Sequence, residues 1–282
     1  MNTNRPTEAM AGSSTLDSAG LGGLMGQSEV GRFVGAYVKS MRLYYSFVTG
    51  VAGWIGVSYY DYLAGNPAVH TIETAPPPEK KLVILAILFL SWGVNQIIND
   101  FLGLAEDRIN APQRPMVTGE LNPRLALLAS FGLMVGAGLV TWFYLEPIAI
   151  VFLTAGVLLN VLYEYAKGWD ILGNLVFGLM IAMAPLYGGF ACGPTGASIF
   201  ESHRVSVLLL VLTMNGLMTY YTYFKDYRGD LLAGKRTLVV TMGLERSRVL
   251  AVVSAFIPTL LFATLRITGM HRTPLNHTFI IL

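Results

Sequence analysis

Two acidic segments hold the residues with chemistry to offer. The first reads Asn99-Asp100-Phe-Leu-Gly103-Leu-Ala-Glu106-Asp107-Arg-Ile-Asn110-Ala-Pro112-Gln-Arg114-Pro115. On a continuous helix Asn95, Asn99, Gly103 and Asp107 recur every four residues, and Asp100 and Asp107 share a face two turns apart. Such a stripe of carboxylates and amides presents oxygen ligands to a hard cation. Mg²⁺ typically takes one or two protein carboxylates and completes its shell with water and phosphate oxygens. In the second segment, Tyr220-Tyr221-Thr222-Tyr223-Phe224-Lys225-Asp226-Tyr-Arg228-Gly229-Asp230, the acids Asp226 and Asp230 are i,i+4 neighbours. Like charges at that spacing repel on a helix, so a bound cation compensates them. Lys235 and Arg236 follow with anion-binding charge.

Long apolar helices have to carry these residues. The chain has 282 residues, of which 54% are hydrophobic and 13% charged. An ordinary soluble domain is roughly 25% charged. One cysteine, Cys192, excludes a disulfide framework and a Cys-rich metal centre. A net charge of +2 argues against a nucleic-acid partner. A spanning helix needs about 20 apolar residues, and seven such runs are visible: 43–64, 82–102, 122–144, 147–165, 172–192, 204–225 and 247–267. An eighth is expected to begin near Phe279, in a chain expected to continue past Leu282. Continuous runs also argue against a transmembrane β-barrel, whose strands are ~10-residue alternating segments. Residues 1–30, rich in Ser, Gly, Thr and Asn, read as a flexible cytosolic tail. The catalytic part is expected over 31–282, in two pseudo-repeats of about 40–165 and 172–282, the second cut short.

Basic residues mark the cytoplasmic side of short loops. Alternating the runs puts Arg5, Arg32, Lys39 and Arg42 with the Arg114, Lys167 and Arg236 loops on one side, and only Lys80, Lys81, Arg204, Arg266 and Arg272 on the other. The N-terminus and both acidic segments are therefore expected at the cytoplasmic face of a multi-pass membrane protein. Acids at a membrane edge are costly and default to a functional reading. Clustering of charge at one face, not the midplane, argues against a transporter. Pro112 should end the helix of the first segment, and Asn122-Pro123 should cap the next one.

The paired segments resemble the two signatures of the UbiA superfamily of intramembrane prenyltransferases. Asn99-Asp100…Asp107-Arg-Ile-Asn110-Ala-Pro112-Gln-Arg114-Pro115…Thr118-Gly119 is similar to the first, and Asp226-Tyr-Arg-Gly229-Asp230…Gly234-Lys235-Arg236-Thr237 to the second. Tyr163 and Gly173-Asn174 also resemble family positions, and the likeness runs from about Arg42 to Gly269. The resemblance implies an all-α membrane bundle around a central cavity, usually of nine spanning helices. It also implies Mg²⁺ and a polyprenyl diphosphate substrate within the lipid bilayer. Transfer to an aromatic or lipid acceptor is the expected reaction; the alternative is a UbiA-type terpene cyclase that closes the prenyl cation on itself. On this basis Asn99, Asp100 and Asp107 are assigned to one Mg²⁺, and Asp226 and Asp230 to another. Arg114, Lys167, Lys225, Lys235 and Arg236 are diphosphate candidates, with Tyr163 and Asn174 as further donors. Tyr44, Tyr45, Phe47, Tyr220, Tyr221, Tyr223 and Phe224 are candidates for the aromatic lining that a carbocation needs. The sequence departs from the pattern in both halves. The first signature usually carries a further Asp where Gly103 stands. Thr219, Thr222 or Tyr223 stands where many members have an acid before Asp226.

Overall fold

The computed structural model describes residues 29–64, 75–194 and 200–270. The expected tail and the run beginning near Phe279 lie outside these residues, apart from Glu29 and Val30, which open the first helix. The helices are α1 (Glu29–Met41), α2 (Phe47–Ala64), α3 (Pro78–Leu102), α4 (Leu104–Asn110), α5 (Pro115–Thr118) and α6 (Pro123–Tyr144). They continue as α7 (Ile150–Ala166), α8 (Leu172–Ala191), α9 (Ser202–Leu232), α10 (Leu238–Met242), α11 (Leu244–Ser254) and α12 (Ile257–Ile267). Two short strands among the described residues, β1 (Trp169–Asp170) and β2 (Arg236–Thr237), pair in parallel.

Among the described residues six spans are long and apolar enough to cross a membrane: α3, α6, α7 with its 3₁₀ entry, α8, α9, and α11 with α12. The protein is an integral multi-pass membrane protein. The first apolar run divides: Leu43–Tyr45 forms a 3₁₀ turn after Arg42, which holds a left-handed φ of 48°, and α2 starts only at Phe47. α2 is not among the six; it carries Asp61 and three tyrosines. The last run is also interrupted, since Pro258 lacks the N–H that would continue α11 through Ala255 and Phe256. Asn122 caps α6 as its side-chain oxygen accepts from the backbone N–H groups of Arg124 (3.0 Å) and Leu125 (3.2 Å).

α8 is the central helix. Its membrane-spanning stretch is 78% buried, against 17% for α6 and 11% for α11–α12. Lipid is as apolar as leucine, so helices associate in a membrane through close backbone approach at small residues. A Cβ on Gly188 of α8 would stand 2.1 Å from the Gly53 carbonyl oxygen of α2. One on Gly178 would stand 2.3 Å from the Leu212 carbonyl oxygen of α9. Asn174 Nδ2 adds a hydrogen bond to the Gly216 carbonyl, 3.2 Å away on α9. Side-chain ion pairs occupy both ends of the bundle. Lys81–Asp61 and Lys80–Glu146 lie at one end, and Arg42, Arg114 and Lys167 with their acids lie at the other.

Candidate active site

α3 brings Asn99 and Asp100 to the wall of a polar cavity of about 340 Å³, and α9 brings Asp226 and Asp230 to the same cavity. At Gly103 the α3 helix breaks, with φ −92° and ψ 15°. The short α4 then packs against α9 and carries Glu106, Asp107 and Asn110 into the lining. The two acidic segments, more than a hundred residues apart, thus face one space. Their joint is tight: a Cβ on Gly229 would stand 1.4 Å from Asn110 Oδ1. Only glycine at 229 lets α4 seat its asparagine on α9. The β1–β2 pair ties the loop after α7 to the loop after α9, which brings Lys167 and Lys235 together.

Ion pairs in the cavity centre on three of its four cationic side chains, Arg114, Arg42 and Lys167. Arg114 Nη1 lies 3.0 Å from Asp100 Oδ1 and also pairs with Asp107. Arg42 pairs with Asp100 and donates to Gln96 Oε1 at 2.5 Å. Lys167 pairs with Glu164 and reaches Glu106 at 3.1 Å; Glu106 in turn pairs with Lys235. Burial raises the Asp107 carboxyl to about 6, partly opposed by the Arg114 guanidinium and assisted by the Asp100 charge. Burial would raise Glu106 as well, but the Lys167 and Lys235 ammoniums overcome it and hold that carboxyl below its ordinary range. Burial works against the Lys167 charge, yet Glu164 and Glu106 outweigh it and raise that amine. Lys235 moves the other way, lowered by burial and by the Lys167 charge beside it.

Nine of the sequence-derived residues line the cavity: Asn99, Asp100, Asp107, Arg114, Tyr163, Lys167, Lys225, Asp226 and Asp230. Three do not. Asn174 is spent on helix packing. Lys235 stands behind Glu106. Arg236, with its side chain 74% exposed, points out on β2 toward Asp170 at 3.9 Å, because the parallel pairing turns Thr237 inward in its place. Among the aromatic candidates, Tyr45, Phe47 and Tyr223 line the cavity. Tyr220 and Tyr221 instead donate to the Ser247 and Ala251 carbonyls, Phe224 packs on Tyr220, and Tyr44 is exposed. Arg42, Trp92, Glu164 and Phe177 also line the cavity, and sequence reasoning missed them; Glu106, which the sequence puts on a different helix face from the Asn99–Asp107 stripe, lines it too. For Arg42 and Glu164, their position at the basic-rich ends of apolar runs was the available signal. Glu106 faces away from the Asn99–Asp107 stripe on an unbroken α3, and the break at Gly103 is what turns it inward.

Two buried oxygens, Asn99 Oδ1 and Asp100 Oδ2, have no hydrogen-bond partner among the described residues. Unpaired hard acceptors on a cavity wall suit a divalent cation. Among the described residues no three His, Cys, Asp or Glu side chains converge on one point. The donor set therefore fits Mg²⁺ held by few protein ligands, with substrate phosphate and water completing its shell, better than a closed protein cage. An apolar cavity of similar size, about 340 Å³, adjoins along α3, where Ser91 and Asn95 face it while their neighbours Trp92 and Gln96 face the polar one. Its other walls come from α6, α7 and α8, with Phe152, Met180 and Tyr187.

The UbiA prenyltransferase family model matches residues 62–281. A digeranylgeranylglyceryl phosphate synthase of Thermococcus sibiricus is 28% identical over 221 residues, covering 77% of this chain and 72% of its own length. The synthase of the same name from Methanosarcina mazei is 27% identical over 231 residues, covering 80% and 77%. Among solved structures, a UbiA homolog from Archaeoglobus fulgidus bound to GPP and Mg²⁺ superposes with a TM-score of 0.62 at 16% identity. That match covers 87% of this chain and 81% of the homolog. A digeranylgeranylglyceryl phosphate synthase structure superposes with a TM-score of 0.59 at 20% identity, covering 84% and 78%.

Proposed function

Because the chain belongs to the UbiA prenyltransferase family, we propose that its polar cavity is the site where an allylic prenyl diphosphate loses its diphosphate and passes the prenyl group to a lipid acceptor. The observation that carries this reading is the convergence of Asn99, Asp100, Asp107, Asp226 and Asp230 on one cavity, with unpaired oxygens on its wall. Geranylgeranyl diphosphate as donor and a geranylgeranylglyceryl phosphate as acceptor are the substrates suggested by the relatives' name.

The residues divide the work. Asn99, Asp100 and Asp107 would hold one Mg²⁺, and Asp226 and Asp230 the other. Bound there, Mg²⁺ neutralises diphosphate oxygens and makes diphosphate a better leaving group. Lys167 and Lys225 face the same cavity as fixed positive charge for the leaving diphosphate. Arg114 acts differently. Committed to Asp100 and Asp107, it keeps two buried acids close together without mutual expulsion. Lys235 acts through Glu106 and not by direct contact. Tyr45, Trp92 and Tyr223 supply π faces for the allylic cation. The neighbouring apolar cavity gives the hydrocarbon chain a dry wall between α3, α6, α7 and α8. The surplus of basic loops on the side of this site supports a cytoplasmic orientation.

Purified protein in Mg²⁺, given C10 to C20 prenyl diphosphates with and without geranylgeranylglyceryl phosphate, tests the reading. Turnover that requires the acceptor and yields a doubly prenylated ether is the expected result. A cyclic hydrocarbon formed without acceptor would overturn it in favour of intramolecular cyclisation.

A further inference from the structure

Glu164 belongs to neither acidic segment. It sits on the last turn of α7 beside Tyr163, its side chain only 6% exposed, and it lines the polar cavity. Its Oε2 lies 3.4 Å from the point where a Cβ on Gly103 would stand, and Lys167 Nζ lies 3.6 Å from the same point. The volume beside the Asn99–Asp107 stripe, left open by a residue with no side chain, is thus filled by a carboxylate and an ammonium from another helix. A carboxylate on residue 103 would meet the Glu164 carboxylate in an enclosed place, where like charges cannot both be kept ionised cheaply. Positions 103 and 164 therefore offer one acidic site between them.

The ion pairs show what Glu164 holds. Glu106 is divided between Lys167 and Lys235, whereas among the described residues Glu164 pairs with Lys167 alone. Lys167 is 17% exposed, and an ammonium so enclosed needs a counter-charge to stay in place. Glu164 and Lys167 are i,i+3 across the end of α7, and Lys167 caps that helix with its backbone N–H on the Tyr163 carbonyl at 2.8 Å, so the helix end sets the pair.

We propose that Glu164 is a positioning residue that supplies from α7 the acid absent at Gly103, anchoring the Lys167 ammonium beside the first acidic segment for contact with the diphosphate. The inference rests on the assignment of the polar cavity to a prenyl diphosphate with Mg²⁺. It makes the glycine and the glutamate a matched pair: exchanging the acid between the two positions preserves the site, and changing either alone does not.

The test is a charge exchange followed by binding of geranylgeranyl thiolodiphosphate, a slow-reacting analogue, in Mg²⁺. Melting of the ligand-free protein is followed in parallel. Glu164→Gln is expected to weaken analogue binding roughly tenfold, and Gly103→Asp comparably, while the double variant returns to within about threefold of the parent. Glu164→Asp, which keeps the charge, should lose less than Glu164→Gln. In a Lys167→Met background Glu164→Gln should have no further effect. Binding by Glu164→Gln within twofold of the parent, or a double variant no better than its weaker single, overturns the proposal. If Gly103→Asp does not fold, the comparison of Glu164→Gln with and without Lys167→Met decides alone: equal losses in both backgrounds overturn it. Parent protein that fails to bind the analogue at all overturns the assignment of the cavity, an outcome distinct from normal binding with an inert Glu164→Gln.

Discussion

Asn110 Oδ1 occupies the place where a Cβ on Gly229 would stand, 1.4 Å from it. This contact docks the first acidic segment on the second and sets the distance across which a diphosphate would be gripped. Gly229→Ala must displace the Asn110 side chain and is expected to loosen the seating of α4 on α9. Overpacking of this kind typically costs about 1–3 kcal/mol. Activity should fall at least about tenfold, and Asn110→Ala should recover part of the loss in the double variant, because it empties the contested space. Prenyl transfer and melting temperature measured on both singles and the double check this. Strictly additive effects would mean that the contact does not couple the segments.

Asp107→Ala and Asp230→Ala should each lower turnover by at least about a hundredfold while the protein still inserts and melts cooperatively. Both carboxylates line the cavity from opposite segments. Retention of a third or more of the parent rate would remove that residue from the metal role. EDTA should abolish activity and Mg²⁺ should restore it.

Arg114 and Arg236 should part company, although both follow an acidic segment. Arg114→Ala deprives Asp100, 1% exposed, of one of its two cationic partners and Asp107 of its own. Hydrogen bonds to charged groups are worth about 1.5–3 kcal/mol, so both melting temperature and activity should drop. Arg236 is 74% exposed and outside the cavity, and an exposed pair contributes about 0–1 kcal/mol. Arg236→Ala should keep substrate affinity within about twofold. A loss as large as that of Arg114→Ala would show that the β2 loop rearranges onto the diphosphate.

The dependence on pH follows from Asp107. Burial raises its carboxyl to about 6, and only the ionised form binds Mg²⁺, so protons and metal compete. Metal affinity should be nearly flat above pH 7 and weaken as pH falls through 6, approaching about tenfold per pH unit for one linked proton. In the metal-free protein the sign reverses. A carboxyl raised above its unfolded value penalises the fold when ionised, and that penalty is relieved as pH falls from above 6 toward 4. Mg²⁺ titrations at pH 7.5, 6.5 and 5.5 separate the two effects. An affinity unchanged across that range would place the metal away from Asp107.

The membrane-spanning class, the paired acids and most of their spacing were legible in the chain alone, because they depend on local quantities. Length and apolar content define a spanning helix. The i,i+4 geometry places Asp226 and Asp230 on one face of α9 without reference to anything else. Asn122 and Pro123 announced the start of α6 for the same reason. Relations between helices needed the folded protein. By mean hydropathy α8 ranks below α3, α6 and α7, yet it is the most enclosed of the six spans among the described residues, because its glycines admit the backbones of α2 and α9. Arg236 and Thr237 are adjacent, and strand pairing alone chose which of them faces the cavity. Glu106 enters only because α3 breaks at Gly103 and α4 crosses onto α9. Glu164 lies 61 residues from Gly103 in sequence, and nothing in the spacing of either segment could bring its carboxylate to the empty place beside that glycine. Packing of α7 against the site did so, since a side chain's reach is local while the gap it fills belongs to another helix.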